Sequence, residues 1–84
     1  MSDSESDETV FDLRGFSCPL PVLKTRVRLK KLAPGERAWL RTDDPLARID
    51  VPHFCRETGQ PLVEERADPD GSHWFLVERG TGDL

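Results

Sequence analysis

The segment whose residue types can do covalent chemistry is Arg14-Gly15-Phe16-Ser17-Cys18-Pro19-Leu20-Pro21. Cys18 supplies a thiol, and a thiolate is the nucleophile such a site would use. Two prolines sit at the head of a helical pattern, which makes sense when the helix starts at Cys18. Cys18 is then the N-cap, Pro19 the first helical residue and Pro21 the third. The missing proline N–H groups fall among the first four amides, which have no acceptor within a helix anyway. Leu20 is the awkward position, because a residue before proline disfavours the helical region. A local conflict of this kind points to a functional constraint. An N-cap side chain accepts from the second or third helical amide. Pro21 has no amide hydrogen, so the reading leaves the Leu20 N–H for the Cys18 sulfur.

The activation this offers is modest. A helix N-terminus stabilises an exposed anion by about 0.3–1 kcal/mol. That raises the thiolate share near neutral pH from about a tenth to about a third at most. The two histidines, His53 and His73, have no sequence reason to lie beside Cys18. A self-sufficient hydrolase is therefore disfavoured, and a thiol whose chemistry a partner completes is favoured. The other cysteine, Cys55, stands between Phe54 and Arg56 and reads as an inert core residue. Cys18, His53, Cys55 and His73 match no common zinc spacing and include no C-x-x-C pair, so no metal and no other cofactor is expected.

The chain that must position this thiol has 84 residues, enough for one small domain. Residues 1–8 are acidic with no core-forming stretch and are expected to form a disordered tail. The domain is expected over 9–80, with a frayed end at 81–84. Thr9–Leu13 reads as a strand and Leu20–Leu32 as a helix, stopped by Pro34-Gly35. Val22, Thr25, Leu29, Leu32 and Ala33 fall on one helical stripe, the candidate core face. Leu20, Leu23 and Val27 form a smaller stripe elsewhere. Arg37–Thr42 is the next strand. Asp44 as N-cap and Pro45 as first helical residue open a second helix, with a restart signal at Asp50-Val51-Pro52 and an end near Thr58. Leu62–Arg66 and His73–Arg79 are the last strands, joined by a turn at Asp68-Pro69-Asp70-Gly71.

The order β-α-β-α-β-β favours a parallel first pair with a right-handed crossover and a closing antiparallel hairpin. The expected fold is an α/β two-layer sandwich, a mixed four-stranded sheet with both helices on one face. Some of Val10, Trp39, Trp74 and Leu76 then fall to the other face. An exposed patch there would favour self-association or partner binding.

Charge is unevenly spread. Residues 1–13 hold five acids and no base, residues 14–41 eight bases and one acid, and residues 42–84 four bases and ten acids. The basic first half suits docking to an acidic partner or a phosphate backbone, while the acidic second half argues against strong nucleic-acid binding. No apolar run approaches a membrane span, and the acidic start lacks the apolar stretch of a secretory signal. No membrane partner is expected, and the expected compartment is the cytoplasm, where thiols stay reduced.

Cys18-Pro19-Leu20-Pro21, preceded by Asp12-Leu13-Arg14-Gly15, resembles the Cys-Pro-x-Pro signature of the TusA family of sulfur carriers, also called SirA-like. The likeness continues through Pro34-Gly35-Glu36, Thr42-Asp43-Asp44-Pro45 and Asp50-Val51-Pro52-His53-Phe54-Cys55, and covers about residues 11–79. The resemblance implies the fold just described. It implies that Cys18 accepts a sulfane sulfur from a cysteine desulfurase as a persulfide, acting as a sulfurtransferase of the carrier type. It further implies that the sulfur passes to a downstream acceptor protein. In the best-known members the relay ends in 2-thiouridine at the tRNA wobble position; other members serve molybdenum-cofactor supply or sulfur oxidation. Arg14, Gly15, Pro19, Leu20, Pro21, Asp44 and Pro45 are then the structural residues of the motif. Leu23, Lys24, Val27, Arg28 and Lys31 are the candidate docking surface, an apolar patch ringed by cations. The rival readings are a thiol-redox or regulatory interaction module and a small nucleic-acid-binding domain.

Overall fold

The computed structural model describes residues 9–17, 20–82 and 84. The expected tail at 1–8, and Cys18 and Pro19 of the motif, lie outside the described residues. The elements are β1 (Thr9–Asp12), α1 (Leu20–Leu29), β2 (Arg37–Thr42), α2 (Ala47–Thr58), β3 (Leu62–Ala67) and β4 (His73–Glu78). They form one sheet in the order β1-β2-β4-β3. β1 runs parallel to β2, and β4 pairs antiparallel with both β2 and β3.

Strand alternation decides what each face carries. Phe11, Ala38, Leu40, Phe75 and Val77 are buried and cluster with Leu29 of α1 and with Ala47, Val51, Phe54 and Cys55 of α2. Register explains the cluster, since Phe11 lies opposite Leu40, Leu40 opposite Phe75 and Ala38 opposite Val77. Both helices thus cover one face, as the two-layer reading expects.

The other face carries Val10, Trp39, Leu76 and Trp74. Val10 is half-exposed there, whereas Trp39 and Leu76 are buried, so only part of the patch that the sequence left open is exposed. Trp39 is only 8% exposed although both helices pack on the opposite face. Trp39 and Trp74 meet edge to face with centroids 6.0 Å apart. The guanidinium of Arg66 lies 5.0 Å from the Trp39 ring centre, and that of Arg41 4.9 Å from Trp74. Trp74 Nε1 donates to Asp68 at 3.0 Å. Arginine planes therefore cover the indoles, each contact contributing about 0.5–1 kcal/mol. An open depression of about 560 Å³ remains beside them, lined by Val10, Arg66 and Pro69 among others.

Several boundaries differ from the sequence reading. α1 ends at Leu29 rather than Leu32, because the chain tightens: Lys31 N–H donates to Arg28 and Leu32 N–H to Leu29, three residues back. Ala33, assigned to the buried stripe, is exposed, while Pro21 is buried with Thr25 and Leu29. Thr25 Oγ1 donates to the Pro21 carbonyl at 2.7 Å, which accounts for a polar residue on that face. α2 begins at Ala47, two residues beyond Pro45. The preceding turn is tight, with Ala47, Arg48 and Ile49 amides each reaching back three residues, and Asp44 Oδ1 accepts from Leu46 N–H at 3.2 Å. No restart occurs at Pro52; the helix runs through it. The chain's end, expected to fray, is tied back: Arg26 donates to the Leu84 carbonyl at 2.6 Å, Gln60 Nε2 and Arg79 donate to that of Gly82, and Leu84 packs on the core.

Candidate functional site

The loop between β1 and α1 leads to the motif cysteine, and its described residues are held at almost every step. Leu13 N–H continues the sheet by donating to Arg41 at 2.8 Å. Leu13 itself is fully buried, so the loop leaves from a fixed point. Asp12 accepts from the Arg14 backbone at 3.2 Å and grips its guanidinium at 2.9 and 2.8 Å. That pairing, chiefly the side-chain bond, holds the Asp12 pKa down at about 2 and raises that of Arg14. Gly15 takes φ +88°, a left-handed conformation that suits glycine. Its N–H donates to both carboxylate oxygens of Asp43, at 3.0 and 3.2 Å. Phe16 N–H returns to the Leu13 carbonyl at 3.3 Å, and the Lys24 ammonium lies 4.5 Å from the Phe16 ring centre.

Beyond the motif, Leu20 N–H donates to the Ser17 carbonyl at 2.9 Å. The capping scheme expected from sequence gives that amide to the Cys18 sulfur, which lies outside the described residues; its described acceptor is the Ser17 carbonyl. Ser17 and Leu20 are both exposed, Leu20 by 43%. The chain therefore presents open surface immediately before and shortly after the Cys18-Pro19 pair.

The outer side of α1 carries the expected apolar stripe, with Leu23 49% and Val27 56% exposed. Its cations behave differently from one another. Lys24 folds back onto Phe16, and Arg28 lies 5.4 Å from the Phe11 ring centre. Arg26 reaches Phe54 and the Leu84 carbonyl. Lys30 and Lys31 are exposed.

Other reactive side chains lie apart from this loop. Cys55 is buried in the core cluster, and burial pushes its thiol up to about 11. Its place in the core is where the sequence reading put it. His53 faces Glu57 along α2 at 3.6 Å. His73 lies 3.5 Å from Glu65 and against the Phe75 ring. Among the described residues, no three His, Cys, Asp or Glu side chains converge as metal ligands, and no helix is long and apolar enough to cross a membrane.

Of the sequence-assigned motif residues, Arg14 and Gly15 meet in the loop, and Asp44 and Pro45 stand in the neighbouring β2–α2 connection. The residue that joins the two loops, Asp43, had no assigned role. Its signal was its place in Thr42-Asp43-Asp44-Pro45, which the capping argument credited wholly to Asp44.

Comparison with known proteins places both the sequence and the fold. The family model for sulfurtransferase TusA matches residues 9–79. Sulfur carrier protein TusA of Pseudomonas aeruginosa is 34% identical over 76 residues, covering 90% of this chain and 95% of that protein. Its counterpart in Pseudomonas paraeruginosa is 34% identical over 72 residues, covering 86% and 90%. The crystal structure of a SirA-like protein from Desulfitobacterium hafniense superposes with a TM-score of 0.76 at 20% identity, covering 86% of this chain and 97% of that one. The chain belongs to the TusA sulfur carrier family.

Proposed function

We propose that this protein is a carrier-type sulfurtransferase that holds sulfur as a persulfide on Cys18. A cysteine desulfurase is the donor. The Cys18 thiolate attacks the outer sulfur of the enzyme's persulfide; the new S–S bond forms as the old one breaks, and the desulfurase thiolate leaves. An acceptor protein's thiolate then attacks the outer sulfur on Cys18, and the Cys18 thiolate is released. Both steps are redox-neutral and need no cofactor. The relay runs in the cytoplasm and leads to 2-thiolation of the tRNA wobble uridine.

The observation that carries this reading is the anchored loop ending in exposed Ser17, with Cys18 next in a Cys-Pro-x-Pro sequence. Sulfur relay needs an accessible, pre-aimed sulfur and a docking surface rather than a deep pocket. Leu23 and Val27, with Lys24, Arg28 and Lys31 around them, supply that surface on the outer side of α1.

Intact-mass measurement after incubation with cysteine desulfurase and cysteine tests the proposal. The expected result is one added sulfur atom, removable by reductant, absent in Cys18→Ser and retained in Cys55→Ser. No adduct with several desulfurases would refute it and favour a thiol-redox or regulatory module.

A further inference from the structure

We infer that Asp43 is a positioning residue for sulfur transfer, acting through the Gly15 amide to hold the loop that carries Cys18. The inference deepens the persulfide-carrier reading and rests on it. Asp43 lies 28 residues from Gly15 in sequence, at the end of β2, yet both its oxygens face one backbone N–H. Further restraints on the loop are the Leu13 N–H on Arg41 of β2 and the local bonds of Asp12 with Arg14, Leu13 with Phe16 and Ser17 with Leu20. Lys24 on Phe16 ties the loop to its own helix. Asp43 thus links the loop to the second βα connection, where Asp44 accepts from the Leu46 N–H.

The position of this bond gives it leverage. Gly15 is three residues from Cys18, and its left-handed φ makes it the point at which the chain direction is set. A carboxylate acceptor is stronger than a neutral one. Both partners are exposed, so the bond's worth is reduced by competition from water. Sulfur transfer between two proteins demands alignment of three sulfur atoms. Reaction with a small freely diffusing alkylating agent does not. Loss of the Asp43 carboxylate therefore costs the protein-to-protein step more than the small-molecule step.

Three chains separate this role from a general structural one: native, Asp43→Ala and Asp43→Asn. Persulfide loading by desulfurase, iodoacetamide alkylation of Cys18 and exchange of the Gly15 amide are measured on each. Asp43→Ala is expected to lose Gly15 protection and to load about fivefold more slowly, the scale of one exposed charge-assisted hydrogen bond. Its alkylation rate is expected to stay within about twofold of native. Asp43→Asn keeps an oxygen acceptor and is expected to recover most of the loading rate. Native loading by Asp43→Ala overturns the inference, as does an equal fall in loading and alkylation. Equal losses in Ala and Asn overturn it too, since they assign the effect to charge. If Asp43→Ala does not fold, loading by Asp43→Asn at the native rate with the Gly15 amide unprotected overturns it. A native chain that alkylates at Cys18 but never loads refutes the carrier reading instead, while Gly15 exchange still reports on the bond.

Discussion

Replacing Gly15 by alanine separates backbone geometry from packing. A Cβ at Gly15 would meet nothing within 4 Å, so the substitution neither fills nor crowds any space. What remains is the φ of +88°. A left-handed conformation costs an L-residue about 1–2 kcal/mol. Alanine also narrows the unfolded ensemble, which returns about 0.4–1 kcal/mol. The balance is a net destabilisation of about 1 kcal/mol, which lowers Tm by about 4–8 °C in a domain of this size. Gly35 is a matched control. Its φ is +93°, a Cβ there also meets nothing within 4 Å, and it lies in the α1–β2 turn rather than the motif loop. Gly35→Ala should show a similar loss of stability with unchanged persulfide loading. Gly15→Ala should lose both. Thermal or urea unfolding gives the first quantity, and single-turnover loading from a desulfurase gives the second. A Gly15→Ala chain as stable as native would mean the loop does not hold positive φ in solution. A Gly15→Ala chain that loads as fast as Gly35→Ala would remove the link between loop geometry and transfer.

Asp12 has a pKa lowered by Arg14 to about 2, so its pairing stabilises the fold above the ordinary carboxylate value of 3.8 and fades as pH falls from there toward 2. Asp12→Asn should lose this part of the acid transition in pH-dependent unfolding, and an unchanged profile would contradict the pairing. Cys55, with its thiol pushed up to about 11 by burial, should resist iodoacetamide at pH 7.5 in the folded chain and react on unfolding in urea. Modification of Cys55 in the folded chain at the rate seen in urea would show the core open there. Charge reversal by Lys24→Glu with Arg28→Glu should weaken desulfurase binding, with a shallower salt dependence than native. Binding equal to native at low salt would move the docking surface away from α1.

Much of the fold could be read from the sequence because proline and glycine punctuate it and hydrophobic periodicity fills the intervals. β2 matches its expected bounds, Arg37–Thr42, because Pro34-Gly35 and Asp43-Asp44-Pro45 flank it with turn signals. Errors arose where backbone bonding overrode side-chain logic. The Leu20 amide reaches the Ser17 carbonyl, an acceptor that the side-chain pattern alone does not bring out. Pro52 looked like a second start, yet it is an interior residue of a continuous α2, which forgoes one backbone bond there without ending. Asp43 was passed over because its partner is distant in the chain, and no local pattern encodes a bond across 28 residues. The shielding of Trp39 was hidden for a related reason. Strand alternation tells which face a residue takes, but not that Arg66 of a non-adjacent strand will lie across it.

That arginine cover has a bearing on how the molecule meets others. A sulfur courier has to let go of one host before visiting the next, and two adhesive sides would invite bridging or clumping. With its indoles roofed by guanidinium groups, the uncovered side of the slab offers water a polar skin over an apolar floor. The indoles on this side therefore present less bare apolar surface to a passing molecule than two uncovered tryptophans would.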